Sequence, residues 1–444
     1  MPEPKRTDAL QGAVRRGATR IIHAVRDAGL IVGITLVLIV GLEVVYRMQG
    51  AARRALFGST TTVVDTAPAF PFDTIAWSAD YRRDHVMEET LLWSPYVYVR
   101  NPTFTGTVMS VDSAGHRVTP QPEGSGPRVV DVWFLGGSTT FGWFQRDSFT
   151  IPAVAARELQ SALAPGSRLR VTNFGAPGRV FTQEIIELML QLRAGARPDA
   201  VVFYDGINDV MATVQNGIAG VPQNEANRVA DFERGRQVVN QAAPDCGAPC
   251  PTPAPPSVGD RVRALGNYVR NLGRIGAAVA RRLELVQRFR RDRPARLQEL
   301  VSADSAAASL ARVYAANVGL VEALASRYGF TALYVWQPVL LSTDKRLTPR
   351  EAWLSGAAHG PAVERIRDVH IAVPPLLRMS VPALVGDRFI DATPVFAADT
   401  LEVFADLFGH TYERANPPIV AAFLPRLSEI VSRASRRPAS AVRP

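Results

Sequence analysis

The chain has 444 residues, 47% of them apolar and 20% charged, a balance that supplies a buried core and excludes a chain disordered throughout. Its formal net charge of +9 would suit nucleic acid or an anionic membrane. The excess is arginine gathered into a few stretches without a recognisable reading module, so nucleic-acid binding is not expected, and the length fits one enlarged domain with insertions.

Residues 1–27 form a basic N-terminus carrying Lys5, Arg6, Arg15, Arg16, Arg20 and Arg26. An uncharged run follows from Ala28 to Leu42, and beyond Glu43 the residues Val44, Val45 and Tyr46 extend it to about the thickness of a bilayer core. Residues 28–47 therefore read as a transmembrane anchor. The positive-inside rule leaves the N-terminus in the cytoplasm and the rest of a single-pass chain outside the cytoplasmic membrane, although Arg47, Arg53 and Arg54 vote against it. A cleaved signal peptide, with small residues at Gly50, Ala51 and Ala52, is the nearest alternative, and a buried core helix the next. Residues 48–90 have no strong period and are expected to form a stalk leading into a domain over 91–435.

Val129 to Leu135 is β-branched and aromatic and stops at Gly136-Gly137, as a buried strand does. A helix over 148–163 is expected next, then a strand from Leu169 to Asn173, a helix from Thr182 to Leu192 and a strand from Ala200 to Tyr204, joined by turns such as Ala176-Pro177-Gly178. An insertion of roughly a hundred residues, about 211–305, far exceeds an ordinary connection. Its first half is Pro-rich and holds Cys246 and Cys250, which read as a small loop disulfide because no His or Cys lies nearby to complete a zinc site. Its second half, 261–300, is helical in pattern with eleven arginines and fits either a solvated flap over the active site or a surface resting on anionic lipid. A helix from Ala307 to Arg327, a strand from Thr331 to Trp336 and a helix from Arg414 to Arg433 close the domain, and 436–444 is expected to be a disordered tail. Strands alternating with helices imply an α/β fold, a three-layer α/β/α doubly wound parallel sheet whose ligands collect at the carboxyl ends of the strands.

Four segments fall there. FLGGSTTFG puts Ser138 just after the first strand, where two glycines allow a tight turn and the following N–H groups are free for an oxyanion; an ordinary turn or phosphate nest is the bland alternative. NFGAPG ends the second strand and offers the Gly175 N–H, and DGIND ends the third and offers the Asn208 amide. FADLFGH supplies His410 to take the serine proton and Asp406 to fix the imidazole tautomer. The loop after the fourth strand brings Gln337, Lys345 and Glu351, for which pocket lining and a structural role are equally open.

Together these segments resemble the SGNH or GDSL hydrolases, whose four blocks contribute Ser, Gly, Asn and His in that order, over about residues 90–435. The resemblance implies a flavodoxin-like sheet, Ser138 as nucleophile, the N–H groups of Ser138 and Gly175 with the Asn208 amide as oxyanion hole, and His410 as base. VDSAGHRVTP, Val111 to Pro120, looks like the strand and Gly-x-Arg element preceding the first block in extracytoplasmic members. Two departures stand out: GGST replaces GDS, and Asp406 precedes His410 by four residues where the family usually has three. The acceptor that orients His410 is then either Asp406 or a backbone carbonyl.

The expected activity is that of a serine esterase on an ester-bearing small molecule or glycan, with O-acetyl groups of cell-envelope glycans favoured by location. An O-acyltransferase using a sugar hydroxyl as acceptor is the alternative enzyme, and a catalytically silent glycan-binding protein the non-enzymatic one. No metal, nucleotide or organic cofactor is expected, since P-loop and dinucleotide fingerprints are absent from the sequence.

Overall fold

Runs rich in β-branched and aromatic residues build a five-stranded parallel sheet, and four of the five end in glycine, asparagine or aspartate. The structure, a computed structural model, describes residues 75–88, 91–225, 228–229, 302–357 and 360–437. The expected anchor at 28–47, Cys246 and Cys250, the Arg-rich stretch 261–300 and the tail beyond 437 lie outside the described residues. The strands are β1 Arg128–Gly136, β2 Ser167–Asn173, β3 Ala200–Asp205, β4 Thr331–Trp336 and β5 Phe389–Asp391, in spatial order β2-β1-β3-β4-β5. Asn173, Phe134, Val202 and Leu333 lie in register across the first four. The chain runs from β1 to one edge and then crosses back to β3, so a switch-point crevice opens at the carboxyl ends of β1 and β3.

The period-two alternation of each strand sorts its side chains between two cores. Val130, Val132 and Phe134 face helices α1 (Ile151–Leu159) and α6 (Asn416–Ser435). Trp133 and Leu135 face α2 (Phe181–Arg193), α3 (Ile207–Asn216), α4 (Ala303–Tyr328) and α5 (Pro361–Ser380). Each such side chain taken fully out of water stabilises the fold by roughly 1.5–3 kcal/mol, so the strands carry the expected three-layer α/β/α architecture. The doubly wound order is the flavodoxin-like one the sequence implied.

Differences from the expected elements have local causes. The helix expected over 148–163 is an α-helix only from Ile151 to Leu159, because Thr150 caps it by accepting the Ala153 N–H at 3.3 Å and short 3-10 turns flank it. α6 starts at Asn416, where Pro417 and Pro418 suit a first turn. α5 runs through Pro374 and Pro375, which would normally break it. Burial of Ile366, Val369, Val373 and Leu377 holds it against the sheet. Pro361–Arg388 is the stretch among the described residues that is long and apolar enough to cross a membrane, and this buried face makes it a core helix. The insertion expected from 211 to 305 contracts, since α3 continues to Asn216 and α4 already begins at Ala303.

The domain also starts earlier than residue 91. Residues expected in a stalk form a helix, Ser78–Glu88, that packs on the domain: Tyr81 is buried, and the Asp84 carboxylate accepts the N–H groups of Val108 and Met109 at 2.9 and 3.1 Å.

Candidate active site

Ser138 is the first residue of a single helical turn, Ser138–Phe141, directly after β1. A Cβ at Gly137 would lie 2.1 Å from Asn208 Nδ2, so only glycine lets the β1 turn and the Asn208 amide come together. The backbone N–H of Ser138 opens this turn with no acceptor among the described residues.

Ser138 Oγ lies 2.7 Å from His410 Nε2, and both residues are 7% exposed. His410 Nδ1 is bonded to Asp406 Oδ2, and Asp406 Oδ1 accepts the N–H groups of Phe408 and His410 at 2.8 and 3.3 Å. One carboxylate thus closes the 406–410 loop and holds the imidazole. The extra residue between acid and base is absorbed at Gly409, whose φ of +91° suits glycine, while Ala405 N–H donates to the His410 carbonyl at 2.8 Å. The side chain on His410 Nδ1 is therefore Asp406, the first of the two acceptors open at the sequence level.

Three loops are tied so that serine and histidine meet. Arg117, 1% exposed, donates to the carbonyls of Gly142 (3.1 Å) and Gln145 (2.7 Å) and pairs with Asp147 at 2.6 Å, fixing the loop after the serine turn. That loop holds Phe144 at φ +62°, a conformation costing on the order of 1–3 kcal/mol for a non-glycine residue. The Phe144 N–H donates to the Tyr81 hydroxyl at 2.6 Å, a further restraint on it. Gln145 Nε2 then donates to the Thr411 carbonyl at 2.9 Å, and Arg146 pairs with Glu413 at 2.8 Å. The Trp143 ring lies over His410, 4.6 Å between centroids.

Gly175 differs from its expected part. Its N–H donates to Asn173 Oδ1 at 2.9 Å instead of pointing outward, and a Cβ there would sit 2.3 Å from the Phe141 nitrogen. The position is glycine because the β2 loop must press on the serine turn. Gly178, missed at the sequence level, has φ +71° and an N–H without an acceptor among the described residues, in a turn closed by Arg179 N–H to the Ala176 carbonyl at 3.4 Å. The Arg179 carbonyl is 3.7 Å from the Cβ position of Gly137, which puts this turn at the rim of the site. The Pro177-Gly178 pair was the available signal, since glycine after proline marks a turn whose central N–H faces outward.

Lys345 and Glu351 do not line the site. They form a fully buried ion pair at 2.6 Å, and Glu351 also accepts the N–H groups of Val403 and Phe404 at 3.0 and 3.3 Å, clamping the strand that leads into the Asp406 loop. Gln337 is buried between the Gly206 and Gly409 turns. A second serine–histidine pair, Ser342 with His370 at 2.7 Å, is fully buried at the imidazole, whose pKa burial lowers to about 3. It carries no acid and cannot gain a proton near neutrality.

Beneath the Asn208 turn three carboxyls are buried together: Glu184 of α2, Asp205 ending β3 and Asp209 of α3. Desolvation raises the pKa of all three, that of Asp205 to about 7. Tyr314 OH lies 3.4 Å from Asp205, and Asp209 accepts the Phe181 N–H at 3.2 Å. Among the described residues no group of His, Cys, Asp and Glu is arranged to hold a metal ion.

The fold and the site define a doubly wound α/β domain of flavodoxin-like strand order, with Ser138 after β1, Asn208 after β3 and His410 before the last helix. No family model and no curated protein matches the sequence. Among solved structures the chain is similar to a member of the lipolytic protein G-D-S-L family from Veillonella parvula DSM 2008, at 10% identity and TM-score 0.32, covering 67% of this chain and 97% of that one. It is also similar to an acetylxylan esterase from Geobacillus stearothermophilus, at 13% identity and TM-score 0.29 over 70% and 95% of the two chains. An alpha/beta hydrolase from the metagenome of Lake Arreo, Spain, aligns at 13% identity and TM-score 0.30 over 68% and 96%. Strand order and the positions of the four segments, not these likenesses, carry the fold assignment.

Proposed function

We propose that the chain is a serine esterase in which Ser138 is the nucleophile, His410 the general base and Asp406 the residue that orients it. The observation that carries this reading is the continuous contact from Ser138 Oγ to His410 Nε2, 2.7 Å, and on from His410 Nδ1 to Asp406. Ser138 Oγ attacks the ester carbonyl as its proton passes to Nε2, and the Asp406 carboxylate stabilises the imidazolium. The tetrahedral oxyanion takes hydrogen bonds from the Ser138 N–H, the Asn208 amide and, in place of Gly175, the Gly178 N–H; each such donor contributes about 3 kcal/mol to turnover. As the intermediate collapses, the carbon–oxygen bond to the alcohol breaks and Nε2 returns its proton to the leaving oxygen. Water then repeats the attack on the acyl-serine and releases the acid.

The substrate class rests on location. A domain tethered outside the cytoplasmic membrane through 28–47 meets O-acetyl and short acyl esters of cell-envelope glycans. Release of p-nitrophenol from its acetate ester by the full-length chain is the direct test, and Ser138→Ala is expected to lower kcat by roughly four to six orders of magnitude. Equal rates for wild type and variant would remove Ser138 from the chemistry. With a glycan acceptor present, ester gained by the sugar in place of free acid would turn the reading to acyl transfer.

A further inference from the structure

An oxyanion donor made from a side-chain amide has a weakness that a backbone N–H lacks. The two ends of the Asn208 amide are nearly equal in size and opposite in polarity, so a half-turn of the group would aim Oδ1 at the developing negative charge and repel it. Something has to choose the end. The Asn208 amide contacts Gln223, whose Nε2 donates to Asn208 Oδ1 at 3.0 Å and leaves Nδ2 over Gly137. The same Gln223 amide is 4.0 Å from the Cβ position of Gly178, beside the second proposed donor.

The backbone that carries Gln223 is itself held. Asn216 Nδ2 donates to the Pro222 carbonyl at 3.0 Å, the Asn224 N–H donates to Gln215 Oε1 at 3.3 Å, and the Arg228 guanidinium donates to the Gln223 carbonyl. Gln215 and Asn216 end α3, the helix whose first turn carries Asn208, so one rigid element fixes both partners. Arg228 in turn lies 4.4 Å over the Tyr98 ring.

We propose that Gln223, at the root of the long insertion, is a positioning residue that sets the polarity of the oxyanion hole by fixing which end of the Asn208 amide faces Ser138. The proposal rests on the esterase reading for its catalytic consequence, but not for its geometry. Glutamate at 223 keeps the shape and removes the donor, so that its carboxylate accepts from Nδ2 and turns the Asn208 amide around.

The test compares wild type, Gln223→Glu, Gln223→Ala, Asn208→Ala and the Gln223→Glu/Asn208→Ala double variant, all full-length, on p-nitrophenyl acetate. Loss of a whole oxyanion donor costs 10²–10³ in turnover, so Gln223→Glu is expected to lower kcat roughly tenfold to a hundredfold with KM within about twofold. It should have no further effect once Asn208 is alanine. A wild-type kcat in Gln223→Glu, or an equal loss on the Asn208→Ala background, would overturn the proposal. Neutron crystal structures of wild type and Gln223→Glu, which tell amide nitrogen from oxygen, give a readout that needs no activity. Asn208 Oδ1 should take the place of Nδ2 over Gly137 in the variant, and an amide that has not turned would overturn the positioning role. If wild type hydrolyses no ester, the esterase reading falls, while the place of Asn208 in the two crystals still decides what Gln223 does.

Discussion

Asp205 ends β3 with its carboxyl enclosed beside Glu184, Asp209 and the Tyr314 hydroxyl, and what burial does to it has a sign that can be followed into stability. Its pKa rises from an ordinary 3.8 to about 7, chiefly by desolvation, so the folded chain holds this proton more tightly than the unfolded chain. The stabilisation is fully present below about pH 4 and is lost as pH rises through about 7. Asp205→Asn keeps the shape and removes the titration. Thermal melts should place the variant progressively higher relative to wild type from pH 5 to about pH 7 and level off above it, and a difference independent of pH would show that Asp205 is not the group that titrates. At this same scale much of the site could be read from the sequence. Ser138, Asn208, Asp406 and His410 each stand beside a strand end or a helix start that their own neighbours announce. Gln223 could not be assigned its part, because that depends on a partner from another segment; Gly178 was signalled only as a turn glycine after proline, and Gly175 differs from its expected part because the side chain of Asn173, two residues away, takes its N–H.

The strands β1, β3 and β4 were legible as apolar runs, and β2 as an alternation of Leu169 and Val171 with polar residues that stops at Asn173. β5 was not, because Phe389–Asp391 is three residues long and pairs only with β4. α5 was hidden by its two internal prolines, and its reason for being helical, the apolar face on the sheet, belongs to tertiary packing. The helix Pro349–Ala357 has an importance that its sequence does not advertise, since through Glu351 it holds the segment leading to the acid and base. Glu351→Gln leaves the Lys345 ammonium buried without its counter-charge, a change that costs about 3–5 kcal/mol. Replacing the pair together, Lys345→Met with Glu351→Leu, should recover much of the melting temperature by removing that unpaired charge. Its kcat should nevertheless fall, because leucine at 351, unlike glutamine, offers the N–H groups of Val403 and Phe404 no acceptor. Full recovery of kcat in the double variant would show that the clamp serves stability alone.

For the whole molecule, the basic residues before position 28 and the apolar run after it make attachment to the cytoplasmic membrane the expected setting. Expressed in a bacterial host, the full-length chain should sediment with membranes and be digested by protease added to spheroplasts, and removal of residues 1–47 should release an active domain. Protection from added protease would place the domain on the other side and remove the argument for envelope substrates. The buried Ser138–His410 pair could still act on esters there.

Ser138 and His410, the proposed nucleophile and base, are 272 residues apart in the chain, yet 2.7 Å apart in space. Contacts of such sequence separation form late, because the loop between them must close first. During synthesis Ser138 is made long before β5, the Asp406 loop and α6 exist to deliver an imidazole. The growing chain therefore has a serine with no partner, and on the proposed mechanism ester cleavage waits for the segment that carries His410. If Ser138 and His410 act as proposed, hydrolysis is a report on finished folding, and a chain that stops short of residue 404 should cleave no ester.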